Sequence, residues 1–100
     1  MEEREREILE AELRMAARRY LANWDIRSYA DFVDDVDRVM ESHGYKWVGR
    51  SSVESREEGE RFEFWQVHTY RKGDCEVEVL TRVEGMPGLV FKVEAKIKET

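Results

Sequence analysis

Apolar residues recur in this chain with two different periods, and the change falls at Gly44. Before it, Leu9, Leu13, Ala16, Ala17, Tyr20, Leu21 and Trp24 recur at three- and four-residue steps. Tyr29, Phe32, Val33, Val36, Val39 and Met40 do the same. Each set is the stripe of an amphipathic helix. The pattern predicts helices over about 2–23 and 28–43, with a short break between them. Early glutamates suit the positive end of the first helix dipole. Ser28 followed by Asp31 reads as the capped start of the second helix. Gly44 reads as its left-handed C-cap, with His43 a capping or surface residue.

After Gly44 the period falls to two, the signature of strands with one buried face. Strands are predicted over about 45–54, 61–71, 75–83 and 89–98. In the first, Tyr45, Trp47 and Val53 point inward and Lys46, Arg50 and Glu54 outward. A charged loop from Glu54 to Glu60 follows. The third turns Cys75, Val77, Val79, Thr81 and Val83 inward. The last turns Leu89, Phe91, Val93, Ala95 and Ile97 inward. A three-residue turn at Met86–Gly88 would set Glu78 opposite Lys96 and Glu76 opposite Lys98. The fold class is therefore α+β: two N-terminal helices packed on one face of a four-stranded antiparallel meander, in one domain.

The second strand is ambiguous. Phe62, Phe64, Gln66, His68 and Tyr70 share one face; Trp65, Val67 and Thr69 share the other. A two-residue turn at Lys72-Gly73 pairs Tyr70 with Cys75 and His68 with Val77, which faces the even set inward. A three-residue turn pairs His68 with Glu76 and faces the odd set inward. The even set buries more apolar area, at about 25 cal/mol per Å². Gln66 and His68 would then need partners, because a buried unpaired polar group costs roughly 1–3 kcal/mol. The reading adopted here faces the even set inward.

Composition narrows the function classes. Of 100 residues, 40% are charged and 41% apolar, and asparagine, glutamine and proline each occur once. Such a charge-rich, amide-poor surface resembles that of a thermophile's protein or a designed one. The net charge of −6 is concentrated before Tyr45, where twelve acidic residues face seven basic ones. A basic face for phosphate is not visible, which argues against direct nucleic-acid binding. One cysteine, Cys75, excludes an internal disulfide and suggests a reducing, cytoplasmic compartment. The acidic start is unlike a signal peptide, and no apolar run approaches membrane-spanning length.

The same sieve removes most chemistry. Two histidines and one cysteine lack zinc spacing, so no metal and no cofactor are expected. Asp31, Asp34, Asp35 and Asp37 splay from the polar side of a helix, unlike a calcium loop. Ser51 or Ser52 with His68 has no nucleophile elbow, and no glycine loop cradles phosphate. What remains is Gln66, His68 and Tyr70, two residues apart on one face, with Trp47, Trp24 and Tyr20 as aromatic walls. In a concave sheet such a histidine orients a polar ligand or acts as a base.

Ala17-Arg18-Arg19-Tyr20-Leu21-Ala22-Asn23-Trp24-Asp25 and Tyr29-Ala30-Asp31-Phe32, with the closing strands Phe62–Ile97, resemble nuclear-transport-factor-like proteins. The resemblance, to the cystatin-like cone in architecture, implies a curved sheet and helices enclosing a ligand pocket. It carries no catalytic residue onto this chain.

Two expectations follow. The first is a small, acidic, non-catalytic interaction module, such as a viral or archaeal regulator or inhibitor, or a designed scaffold or binder. It would meet a protein partner or a second copy of itself. Its contact surface is either the helix face bearing Asp31, Asp34, Asp35 and Glu41, or the outer sheet face bearing Trp65 and Val67. The second is a small-molecule pocket, natural or engineered, around Gln66, His68 and Tyr70. A solvent-like His68 pKa is expected under the first and a perturbed one under the second.

Overall fold

A computed structural model of the protein describes residues 1–21 and 26–98, the side chains of residues 26 and 27 excepted. Two helices, α1 (Glu3–Arg18) and α2 (Ile26–Ser42), precede one antiparallel sheet of β1 (Lys46–Arg50), β2 (Glu54–Glu58), β3 (Arg61–Lys72), β4 (Cys75–Met86) and β5 (Leu89–Lys98). The helix-then-sheet α+β class is as expected. The strand count is five, not four. Both β1 and β2 lie along the same edge of β3, β1 against 68–71 and β2 against 61–65. The stretch 54–58, expected as loop, extends the sheet, and the turn is Gly59-Glu60, with Gly59 at φ +62°.

Ser51 holds the junction between β1 and β2. Its N–H donates to the Val67 carbonyl (2.9 Å) and its Oγ accepts the Val67 N–H (3.0 Å). The hydroxyl thus stands in for a ladder carbonyl where the strand breaks.

The helix ends also differ from expectation. α1 stops at Arg18 and tightens through Tyr20 N–H to Ala17 O and Leu21 N–H to Arg18 O, i to i−3 contacts that close the last turn. α2 begins at Ile26, so Ser28 is a buried residue of the first turn and not its cap. Gly44 does take the left-handed conformation, at φ +86°. His43 turns sideways and meets Glu12 of α1 at 2.9 Å.

The core lies between the helices and one face of the sheet. Leu9, Leu13, Phe32, Val36 and Met40 pack against Tyr45, Tyr70, Val77, Val79, Val83, Val93, Ala95 and Ile97. α1 runs along β5 and α2 sits over the β1 side. The β3–β4 turn is Gly73-Asp74, pairing Lys72 with Cys75, so Tyr70 faces Val77 and His68 faces Val79. This is two residues away from the expected pairing, an even slip, so the face is unchanged and the even set points inward.

Two bulges overturn finer expectations. Between Glu84 and Gly85 the β4–β5 register shifts, so Glu78 faces Lys98 and Leu80 faces Lys96. The turn is the two residues Pro87-Gly88, and β4 runs on to Met86. Phe91 is the extra residue of the bulge. Val90 therefore packs inward, while Leu89 (60%) and Phe91 (41%) are exposed. Gly85 is required here. A Cβ on it would lie 2.7 Å from both the Leu89 carbonyl oxygen and Phe62 Cζ. The second bulge, between Trp47 and Gly49, reshapes the site.

Candidate functional site

Strand alternation places Trp47 and Arg50 on opposite faces, yet the bulge at Val48 puts both on the inner side. Trp47 pairs with Tyr70, and Arg50 pairs with His68. Arg50, expected to point outward, instead reaches under α2. Its guanidinium grips Asp37 with two bonds, Nη1 to Oδ1 at 3.2 Å and Nη2 to Oδ2 at 2.8 Å. The same Nη1 lies 3.1 Å from His68 Nδ1. Tyr70 Oη donates to Asp37 Oδ1 at 2.5 Å. Asp37 was expected on the splayed outer side of α2 with Asp31, Asp34 and Asp35. It sits one turn after Val33 and beside Val36, within the apolar stripe, and so faces the sheet.

From His68 the bonds continue across the sheet. His68 Nε2 meets Thr81 Oγ1 at 2.9 Å, Thr81 Oγ1 meets Tyr29 Oη at 3.1 Å, and Tyr29 donates to Gln66 Oε1 at 2.8 Å. Gln66 Nε2 donates to the Ser51 carbonyl at 2.8 Å. Donor arithmetic sets the His68 tautomer. A guanidinium only donates, so His68 Nδ1 is the acceptor and the proton sits on Nε2. That proton goes to Thr81, whose single hydroxyl proton has two acceptors in reach, the Gln66 carbonyl (3.3 Å) and Tyr29 Oη (3.1 Å), while the Tyr29 proton is held by Gln66 Oε1. The contacts link Arg50 to His68 to Thr81 to Tyr29 to Gln66 to Ser51.

Electrostatics agree with this assignment. His68 has no exposed surface, and burial, with the Arg50 charge beside it, pushes its pKa down to about 4 against the opposing pull of Asp37. Burial acts to raise the Asp37 carboxyl, but the Arg50 and Tyr70 bonds outweigh it and hold the group below the ordinary range. The Asp37 bond raises the Arg50 pKa further. Tyr70, also without exposed surface, is raised by burial and then by the Asp37 charge. At neutral pH the group is one guanidinium, one carboxylate and a neutral imidazole.

Gln66, His68 and Tyr70 do come together, but their polar atoms bind the protein itself. His68 has no ring nitrogen left to act as a base. Its lowered pKa therefore comes from packing, and the expected contrast between a solvent-like and a perturbed value does not separate the two functional readings. Trp47 is half exposed (49%) and lies over Arg50, with the guanidinium carbon 4.8 Å from the ring centre. Tyr20 is elsewhere. It packs on Phe32, with ring centres 5.5 Å apart, and donates to the Asp35 carboxylate, while burial, then Asp35, raises its pKa to about 12. Trp24 lies outside the described residues.

Asp37, Arg50, Thr81 and Tyr29 belong to this group and were not singled out from the sequence. A threonine among inward valines and an aspartate inside an apolar stripe were visible signals. Arg50 required the bulge.

The remaining candidates lie on the surface. Asp31, Asp34 and Glu41 are exposed on α2, whereas Asp35 is half-buried and paired with Arg38 at 2.6 Å. On the outer sheet face Trp65 stands opposite Glu54 and Arg82, and Val67 is opposite Leu80. None of Trp65, Val67 and Leu80 is fully buried. Among the described residues no group of histidine, cysteine and acidic side chains is arranged to hold a metal. No described helix is long and apolar enough to cross a membrane. No protein-family model matches the chain, and no curated protein or solved structure shows significant similarity to it.

Proposed function

We propose that the protein is a small acidic, non-catalytic interaction module whose contact surface is the outer face of its sheet. The observation that carries this reading is the contrast between the two faces. On the inner face, His68, Gln66 and Tyr70 are bonded to protein groups, so the alternative of a pocket built on them loses its reactive atoms. On the outer face, Trp65, Val67 and Leu80 are cross-strand neighbours with no described helix over them. An aromatic and two aliphatics rimmed by Glu54, Glu63, Arg82 and Lys96 have the make-up of an interface centre with a charged border. The resemblance to a cone with an enclosed pocket stays a proposal about architecture.

Sedimentation at micromolar concentrations tests the reading with the chain as its own first partner. The expected result is a dimer that Trp65→Glu converts to a folded monomer. A strict monomer at every concentration would count against it.

A further inference from the structure

Away from the polar chain, α1 and β5 leave a groove of about 390 Å³ between them. The size is that of a small-molecule site. Its floor is apolar, made by Ala17, Val93 and Ala95, all buried, with Leu21 partly exposed at one end. Its rim is cationic. Arg14 and Arg18, one turn apart on α1, face Lys92 and Lys96 of β5. In a chain of net charge −6, this groove is lined by four cationic and two anionic side chains.

The two carboxylates do not neutralise the arginines. Glu94 is held by Lys92 (3.5 Å) and Lys96 (3.3 Å), and Glu10 by Arg6 (3.2 Å). Among the described residues the side chains of Arg14 and Arg18 have no hydrogen-bond or ion-pair partner, and both are exposed. Two guanidiniums one helical turn apart without paired carboxylates, over an apolar floor, present planar donor forks beside apolar surface. That combination fits a ligand with one anionic head and one apolar body.

We infer that the groove between α1 and β5 binds a small anionic amphiphile, a carboxylate with an aliphatic or aromatic tail, its head on Arg14 and Arg18 and its tail on Ala17, Val93 and Ala95. The inference is independent of the outer-face interaction, whose apolar centre is Trp65, Val67 and Leu80 on β3 and β4 and which shares only the rim residue Lys96 with the groove. Head charge decides recognition, because the apolar floor accepts the tail whatever its head while the rim repels a cation.

The probes are decanoate, decylammonium and decanol below their aggregation concentrations, followed by amide NMR shifts. Decanoate is expected to saturate at one equivalent and to shift Ala17, Leu21, Val93 and Ala95. Decanol should bind more weakly and decylammonium not at all. Doubling the salt should weaken decanoate binding, as contact between a carboxylate and exposed guanidiniums requires. Arg14→Glu with Arg18→Glu should weaken it about tenfold or more, since each exposed contact is worth up to about 1 kcal/mol. Both positions are exposed, so an unchanged melt shows the variant folded. Trp65→Glu should leave decanoate binding intact. Equal binding of decanoate and decylammonium, shifts centred on other residues, no saturable binding, or an unaffected double variant would each overturn the inference.

Discussion

Beneath α2, the Arg50 guanidinium is engaged by a carboxylate and an imidazole; beside α1, the side chains of Arg14 and Arg18 have no bonded partner among the described residues. The first belongs to a mostly buried set of side chains bonded to one another. The second lines an open groove whose own carboxylates are occupied by other cations. Both regions lie against one sheet in one acidic chain. Desolvation separates them. A charge under α2 must be matched by protein groups, because an unmatched one costs several kcal/mol. A charge at the groove rim keeps its water and can stay unmatched at little cost. Perturbed, well-bonded residues mark structure here, and unbonded ones mark availability.

The largest effect that tests this contrast is removal of Asp37. Asp37→Ala leaves Arg50 beneath α2 without its carboxylate and Tyr70 without its acceptor. Unfolding by denaturant should show a loss of about 3 kcal/mol, the range for breaking a largely buried pair. A loss under about 1 kcal/mol would mean that solvent already screens the pair.

Acid should produce a change of similar size. The folded pKa of His68, about 4, lies below the unfolded value of 6.5, so the unfolded chain takes up its proton first. Stability is complete above about pH 6.5 and falls as the pH drops toward 4, by about 3 kcal/mol at most. The lowered Asp37 carboxyl acts in the same direction at more acidic pH. Its contribution is present above the ordinary carboxylate range and is lost as the pH falls through its own depressed value. Chemical denaturation across this range should slope downward before ordinary carboxylates titrate.

Thr81→Val cuts the chain at its centre. It strands the His68 Nε2 proton and removes the hydroxyl shared by Tyr29 and the Gln66 carbonyl in an otherwise similar shape. A loss of about 2 kcal/mol is expected, the cost of an orphaned buried group. The smallest effect belongs to the groove. Arg14→Glu with Arg18→Glu should change stability by no more than about 0.5 kcal/mol, as for surface substitutions away from special features. A larger loss would show that these arginines serve the fold.

How much of this was legible depended on backbone regularity. Alternation through Val77, Val79, Thr81 and Val83 is unbroken, so their burial could be read directly. Apolar steps in α1 and α2 were equally clear. The face of His68 survived a misplaced turn because the slip was even. Where a residue was inserted, the period failed. Val48 and Phe91 are the extra residues of two bulges, and beyond each the faces of Arg50 and Leu89 no longer follow by counting. A bulge depends on three-dimensional pairing that the order of residues does not state. The first strand was read as one because Ser51 and Ser52 only weakened it. That Ser51 replaces a ladder carbonyl with its hydroxyl is a tertiary fact. The groove escaped notice because its walls, α1 and β5, lie at opposite ends of the chain.

Nitrogen-detected NMR of His68 between pH 4 and 8 tests the closed polar chain most directly. Protonation on Nε2, an unprotonated Nδ1 accepting from Arg50, and no titration until about pH 4 is the predicted result. Titration near 6.5, or rapid exchange between the two tautomers, would contradict it.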